Sequence, residues 1–149
     1  MQIKNNNQNF TTGFHIVRVG LAITFIWIGI LILKSPESWG GYVQPWAVNL
    51  LPISVQKALL STAVLDIIIG IFLLIDWLTW LAGLVAALHI IVVLTVSGIT
   101  DITVRDIAIL AAAVALMADS LPKNFTNKIL QYKGSLYNKA QAIKNNKNY

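Results

Sequence analysis

Apolar residues are concentrated in four stretches, separated by short segments of polar or helix-breaking residues. The stretches cover about residues 14–33, 58–75, 78–97 and 103–118. The first three are 18 to 20 residues long, and a helix of that length spans the ~30 Å hydrocarbon core of a bilayer. The fourth is shorter by a few residues. The pattern predicts an all-α fold, a bundle of four transmembrane helices in an integral membrane protein, covering residues 14–119.

The segments outside these stretches have a different character. Residues 1–13 are polar and rich in Asn and Gln, which predicts a disordered N-terminus. Residues 35–54 combine three prolines and two adjacent glycines with Trp and Tyr, a mixture typical of an outer loop in the headgroup zone. A short interfacial helix after Pro45 fits this loop. Ser54 is placed to cap the second span.

The composition supports a membrane location. Only 11% of the residues are charged, against about 25% in soluble domains. The net charge is +5, and residues 120–149 carry six of the eleven cations: Lys123, Lys128, Lys133, Lys139, Lys144 and Lys147. A basic tail directly after a membrane helix is typical of a cytoplasmic segment facing anionic lipid. Four spans then predict a multi-pass protein of the cell membrane with both termini cytoplasmic.

Several kinds of chemistry have no support in the chain. It contains no cysteine, which excludes disulfides, thiol catalysis and cysteine-ligated iron–sulfur clusters. We find no metal-ligand spacing, no Ser/His/Asp nucleophile set, no phosphate loop and no nucleic-acid motif, so we expect no metal and no nucleic-acid partner. No intrinsic cofactor is expected, and electron transfer would need a bound quinone or a partner's cofactor. Whether the protein is an enzyme, and which residue would be catalytic, stays open.

Two ionisable residues lie at matching positions in the second and third stretches. Asp66 is eleven residues before Trp77, and His89 is eleven residues after Leu78. If the two helices turn at residues 77–78, both side chains lie roughly 16 Å from the turn, close to the bilayer midplane. A carboxylate there costs about 2.5–3.5 kcal/mol on insertion scales, so it is usually paired, neutralised or functional. We predict that this pair relays protons or binds a ligand; the alternative is a structural link between helices.

Other polar residues are weaker candidates. Arg18 lies about one turn inside the first span, where it is a third ligand or relay candidate, a topology anchor, or a partner of Asp76 or Asp119. Thr103 and Asp106 form a capping-box-like pair at the start of the last span, with Arg105 beside them as a surface residue. These three are candidates for a helix cap or a secondary site.

Small and polar residues recur at helical spacing along each span, which predicts close helix packing. The stripes are Arg18, Ala22, Phe25 and Gly29; Ala58, Thr62, Asp66 and Gly70; Ala82, Ala86, His89, Val93 and Ser97; and Ala108, Ala112, Ala115 and Asp119. They predict a compact bundle in which Asp66 and His89 face the interior.

Two sequence motifs resemble a known family. The run RVGLA at Arg18–Ala22, followed by FIWIG at Phe25–Gly29, resembles the first helix of DoxX-like membrane proteins. The run RDIAILAAA at Arg105–Ala113 resembles the last helix of that family. The resemblance implies a four-span prokaryotic membrane protein, whose relatives include the DoxD-type subunit of thiosulfate:quinone oxidoreductase and accessories of membrane redox complexes. Family members often carry glutamate where Asp66 stands and a lysine closer to the first-helix glycine than Lys34 is.

These observations support three functional hypotheses. The first is a subunit or accessory of a quinone-linked membrane redox system, with a quinone near Asp66 and His89 and a membrane oxidoreductase as partner. The second is a small-solute or proton-coupled carrier that uses the same pair. The third is a purely structural or assembly protein of the lipid bilayer. A homo-oligomer is compatible with each of them.

Overall fold

The structure is a computed structural model that describes residues 7–122, 127, 131–139 and 143 of the chain. These residues form helices, and none of them belongs to a β-strand. The chain divides into two compact units, Met1–Asp119 and Ser120–Tyr149. In the second unit, residues 131–139 are helical and exposed. Much of the predicted basic tail lies outside the described residues, including Lys123, Lys128, Lys144 and Lys147.

Residues 7–119 of the first unit form six helices: α1 (Asn7–Lys34), α2 (Pro36–Gly40), α3 (Pro45–Leu50), α4 (Val55–Leu74), α5 (Thr79–Ser97) and α6 (Val104–Asp119). Within the described part of the chain, three segments are long and apolar enough to span a membrane, namely Thr12–Lys34, Val55–Leu74 and Thr79–Ser97. This supports membrane insertion. Helix α6 has 16 residues, fewer than the ~20 that a full span needs.

The predicted ends of the later helices differ from the observed ones by at most three residues. The short helix expected after Pro45 is α3, and Ser54 caps α4 by accepting from the backbone N–H of Lys57. The start of α1 differs more, because this helix begins at Asn7. Residues 7–13 therefore continue a helix where the sequence predicts disorder. Extending a formed helix fixes one residue for each hydrogen bond gained, so a stable span can carry a polar extension.

Helices α4 and α5 are joined by a tight turn at Asp76–Leu78. Asp76 and Leu78 have φ angles of 56° and 49°, in the left-handed region that non-glycine residues rarely adopt. The hydroxyl of Thr79 donates to Asp76 Oδ1 at 2.7 Å, which supports the turn from the first residue of α5. The reversal sets α5 antiparallel to α4, as the sequence predicts.

Glycines bring the helices together in two pairs. A Cβ on Gly29 of α1 would lie 2.7 Å from the backbone oxygen of Ala63, and one on Gly70 of α4 would lie 2.8 Å from that of Ala22. A Cβ on Gly83 of α5 would lie 2.9 Å from the backbone nitrogen of Met117 in α6. Such close backbone approach is typical of membrane helices that pack through small residues. The fold therefore contains an α1–α4 pair and an α5–α6 pair.

The two pairs meet along only part of their length. We call the half of the unit nearest the Asp76–Leu78 turn the turn half, and the half nearest residues 35–54 and 98–103 the loop half. A cluster of buried apolar residues lies in the turn half and includes Leu21, Phe25, Ile69, Leu73, Ala86 and Leu116. In the loop half the pairs diverge and leave a cavity between them.

Candidate functional site

Asp66 of α4 and His89 of α5 meet at the boundary between the two halves. Asp66 Oδ1 lies 3.0 Å from His89 Nε2, and the two side chains are only 4% and 9% exposed. Their equal separation from the turn sets them at the same height, because the two helices are antiparallel and rise equally per residue. The structure thus brings together the two residues that the sequence singles out.

The pair leaves part of the carboxylate's hydrogen-bonding capacity unused. Asp66 Oδ1 is buried and accepts no aligned hydrogen bond from any residue that the structure describes, although His89 Nε2 lies 3.0 Å away. The nearby hydroxyl of Thr62, which could have served Asp66, donates instead to the backbone oxygen of Leu59 at 2.8 Å. A buried acceptor of this kind carries a desolvation cost until a donor reaches it.

Asp66 belongs to the wall of a large cavity in the loop half. The cavity has a volume of about 830 Å³, within the range of small-molecule sites. Asp66 and His89 line its deep end, and the walls come from all four long helices, with residues such as Trp27 of α1, Val93 of α5 and Ile109 of α6. The lining is mainly apolar with a few polar groups, the composition expected of a site for an amphipathic small molecule.

The 35–54 segment covers the cavity at the loop end. Trp39, Tyr42 and Leu51 contribute to the lining. Gln44 fixes this segment to the end of α5, since its backbone N–H donates to Val96 O at 2.9 Å and its side chain to Ser97 O at 3.4 Å. The sequence indicates an interfacial loop here. It does not predict the attachment to α5, because nothing in the sequence around Gln44 identifies its hydrogen-bond partners.

The three secondary candidates lie at the start of α6, and all of them line the cavity. The capping-box geometry predicted for Thr103 and Asp106 is not what the structure shows. The Thr103 hydroxyl donates to Gly98 O at 2.6 Å and accepts from Thr100 N at 2.8 Å, so it stabilises the preceding turn. Arg105 Nε donates to Ile102 O at 2.9 Å. Arg105 and Asp106 bring ionisable side chains to the cavity wall.

Arg18 lies in the turn half and does not line the cavity. Its guanidinium donates to the backbone oxygens of Leu73 and Leu74 at the end of α4. Its Nε lies 3.6 Å from Asp76 Oδ1, so of the two partners that the sequence suggests, the structure pairs it with Asp76. Arg18 joins α1 to the end of α4, and it is separate from the Asp66–His89 pair.

The chain matches no protein-family model, no curated protein and no solved structure. A functional conclusion therefore depends on the geometry of the cavity and on the chemistry of its deep end. There, a carboxylate and an imidazole can together donate to a carbonyl oxygen or accept from a hydroxyl, according to which of them holds the proton.

Proposed function

We propose that this protein is a four-helix membrane protein of DoxX-like type that binds the head group of a lipid-soluble carbonyl compound. A quinone is the leading candidate, and the protein would serve as a subunit or accessory of a quinone-linked redox system. The observation that carries the proposal is the Asp66–His89 pair at the deep end of a mainly apolar cavity, with a buried carboxylate oxygen that lacks an aligned donor.

In this proposal α6 is the fourth span. Support comes from its close packing on α5 at Gly83 and from the complete burial of Ala113. Its 16 residues give a length of about 24 Å, so neighbouring helices and the 98–103 segment would complete the crossing. Four spans return both termini to one side, and the lysine-rich tail favours the cytoplasm for that side.

The pair suits both states of a quinone head group. A quinone presents carbonyl oxygens, which accept hydrogen bonds from an imidazole N–H or a protonated carboxyl. A quinol presents hydroxyls, which donate to a carboxylate such as Asp66. The surrounding apolar lining favours a ring over water, and it strengthens each hydrogen bond at the deep end.

The carrier hypothesis and the structural hypothesis differ from this proposal in what they require of the cavity. A carrier needs its central site to open toward each side in turn, whereas the turn half is filled by a packed core below the Asp66–His89 pair. That packing weighs against the carrier hypothesis. In the structural hypothesis the pair only links α4 to α5, and no ligand occupies the cavity.

Quinone binding to the purified protein tests the proposal. We expect a decyl-substituted benzoquinone to bind the protein in lipid nanodiscs, and Asp66→Asn or His89→Ala to weaken binding about tenfold or more, the loss of roughly one charge-assisted hydrogen bond. His15→Ala and Asp119→Asn are matched controls, because both residues are exposed and neither lines the cavity. Calorimetry or quenching of tryptophan fluorescence measures the affinity.

Two results would contradict the proposal. Absence of quinone binding to the unmodified protein would reject the head-group site. Binding that survives both Asp66→Asn and His89→Ala would place the quinone elsewhere. If pH-dependent solute uptake into proteoliposomes depended on the same two residues, the carrier hypothesis would replace it.

A further inference from the structure

One side of the cavity lies where α1 and α6 face each other. The two helices are neighbours in the bundle. In the turn half both contribute buried residues to the packed cluster, among them Leu21 of α1 and Leu116 of α6. In the loop half, residues of the same two helices line the cavity instead, among them Ile28 of α1 and Ile109 of α6. The contact between α1 and α6 therefore opens toward the loop half.

The cavity-lining side of α1 is turned away from α4. Ala22 and Gly29 mark the side that meets α4, since both lie at the places where the two backbones approach most closely. With 3.6 residues per turn, Thr24, Trp27 and Leu31 fall on the opposite side of α1, and all three line the cavity. The cavity therefore reaches α1 on the side of α6, its other neighbour among the long helices.

This side of the cavity is open to the surface of the bundle. Trp27 lines the cavity although it is 62% exposed, and Leu31, one turn further along α1, is 37% exposed. On α6, Arg105 is an exposed cavity residue, and it shares a helix face with Ile109 and the buried Leu116. A side chain that both lines a cavity and is this exposed marks an edge of its opening. We call the opening between Trp27 and Leu31 on one edge and Arg105 and Ile109 on the other the α1–α6 groove.

The α1–α6 groove opens close to the height of the Asp66–His89 pair. A Cβ on Gly29 would lie 3.3 Å from Asp66 Cβ, and Trp27 is two residues from Gly29, about 3 Å along the helix axis. Trp27 is also seven residues before Lys34, the end of the membrane-spanning segment, and so lies about 10 Å inside it. Tryptophan in membrane proteins is enriched at the interface, so this indole lies deeper than an interfacial anchor.

From this geometry we infer that the ligand is a long-chain amphiphile whose apolar chain lies in the α1–α6 groove and passes there into the bilayer. Its head group reaches Asp66 and His89, while its chain contacts Trp27. Lipid tails are as apolar as the side chains of such a groove, so the chain leaves the protein without entering water. The inference rests on the proposed head-group site and adds the path of the ligand's chain to it.

A bulky adduct in the α1–α6 groove tests the inference. The chain contains no cysteine, so Trp27→Cys carries one thiol, which is labelled with a bulky maleimide in detergent before reconstitution into nanodiscs. The reference is the same variant capped with a methylthio group. Ile68→Cys is the matched control, because Ile68 of α4 is 45% exposed and does not line the cavity. If circular dichroism shows that Trp27→Cys does not fold, Leu31→Cys takes its place.

Binding is measured with two fully substituted benzoquinones, whose rings have no position left for addition of a thiol. One carries a decyl chain and the other a methyl group at the same position. We expect the bulky adduct at position 27 to weaken binding of the decyl probe about tenfold or more and to leave the methyl probe within about twofold. The adduct at position 68 changes neither affinity. Bulky and methylthio forms are compared at one lipid-to-protein ratio, so that partitioning of the probe into the bilayer cancels.

The outcomes separate the groove from the head-group site. If the adduct at position 27 leaves both probes unaffected, or weakens both equally, the chain does not lie in the α1–α6 groove and the inference is overturned, while the head-group site stands. Equal effects of the adducts at positions 27 and 68 on the decyl probe would overturn it as well. If neither probe binds the protein without substitutions, the head-group site fails and the inference fails with it.

Discussion

Arg18 shows how one buried cation stabilises the turn half. A helix ends with backbone oxygens that have no partner within the helix, and a cation near them interacts favourably with the helix dipole. The Arg18 guanidinium donates to two such oxygens, those of Leu73 and Leu74. Asp76 is nearly half exposed, so its ion pair with Arg18 adds little. The hydrogen bonds to α4 are the main contribution.

We expect Arg18→Gln to lower the free energy of unfolding by about 2 kcal/mol, because hydrogen bonds from a charged donor contribute about 1.5–3 kcal/mol. Arg105→Gln is the control, since the bond from Arg105 to Ile102 O is exposed and its loss should cost under about 1 kcal/mol. Reversible unfolding in mixed micelles measures both. Equal losses for the two variants would show that Arg18 is only a surface cation.

The sequence was informative about Asp66 and His89 for a physical reason. Two antiparallel helices joined by a tight turn place residues at equal distance from the turn at the same height, so their proximity follows from counting along the chain. The hydrogen bonds of Thr103 do not follow in this way, since a helix start and a preceding turn can both use the same hydroxyl. The link from Gln44 to the end of α5 depends on folding of the whole loop.

Close contact between α1 and α4 depends on the absence of side chains at two glycines. The sequence stripes predicted this packing in α1 and α4, where Gly29 and Gly70 face the partner helix. In α6 the stripe is wrong, because Ala108 and Ala115 are exposed whereas Ala113 and Leu116 are buried. Alanine is frequent on every side of that helix, so its spacing does not identify the packed face.

A methyl group at Gly70 should therefore force the α1–α4 pair apart. Its Cβ would lie 2.8 Å from the backbone oxygen of Ala22, and overpacking of this kind typically costs about 1–3 kcal/mol. Gly20→Ala is the matched control in α1, where an added Cβ meets nothing within 4 Å; there the effect should be neutral or slightly stabilising. Unfolding in mixed micelles measures both. A Gly70→Ala protein as stable as the unmodified one would show that the helices separate at no cost.

The spans were predictable to within a few residues because bilayer thickness sets the length of an apolar run. The cavity was not predictable, because it arises where the α1–α4 and α5–α6 pairs diverge. Local sequence pattern specifies which face of a helix is apolar, but a face next to lipid and a face next to an apolar cavity have the same composition. Trp27 illustrates this, because it lines the cavity and is also exposed on the surface of α1.

The two halves of the helix bundle differ, because the turn half is filled by packed side chains and the loop half contains the cavity. The cavity extends from the Asp66–His89 pair into the loop half. The core cluster around Ala86 and Leu116 closes the opposite route. A binding protein needs only one aqueous approach, whereas a carrier needs two.

Thiol accessibility tests this asymmetry, because each variant of the cysteine-free chain carries a single thiol. Asp101→Cys and Trp77→Cys mark the two membrane faces, since both residues are exposed and lie at opposite ends of α5. We expect Thr62→Cys, on the cavity wall, to react with a membrane-impermeant reagent only from the Asp101 face.

Ala86→Cys provides the contrasting position in the same experiment, because Ala86 is 0% exposed within the turn-half core. It should react from neither face, since dense packing leaves no room for a polar reagent. Its modification from the Trp77 face, or reaction of Thr62→Cys from that face, would show that the turn half opens in the membrane. The carrier hypothesis would then explain the cavity better than a binding site open on one side.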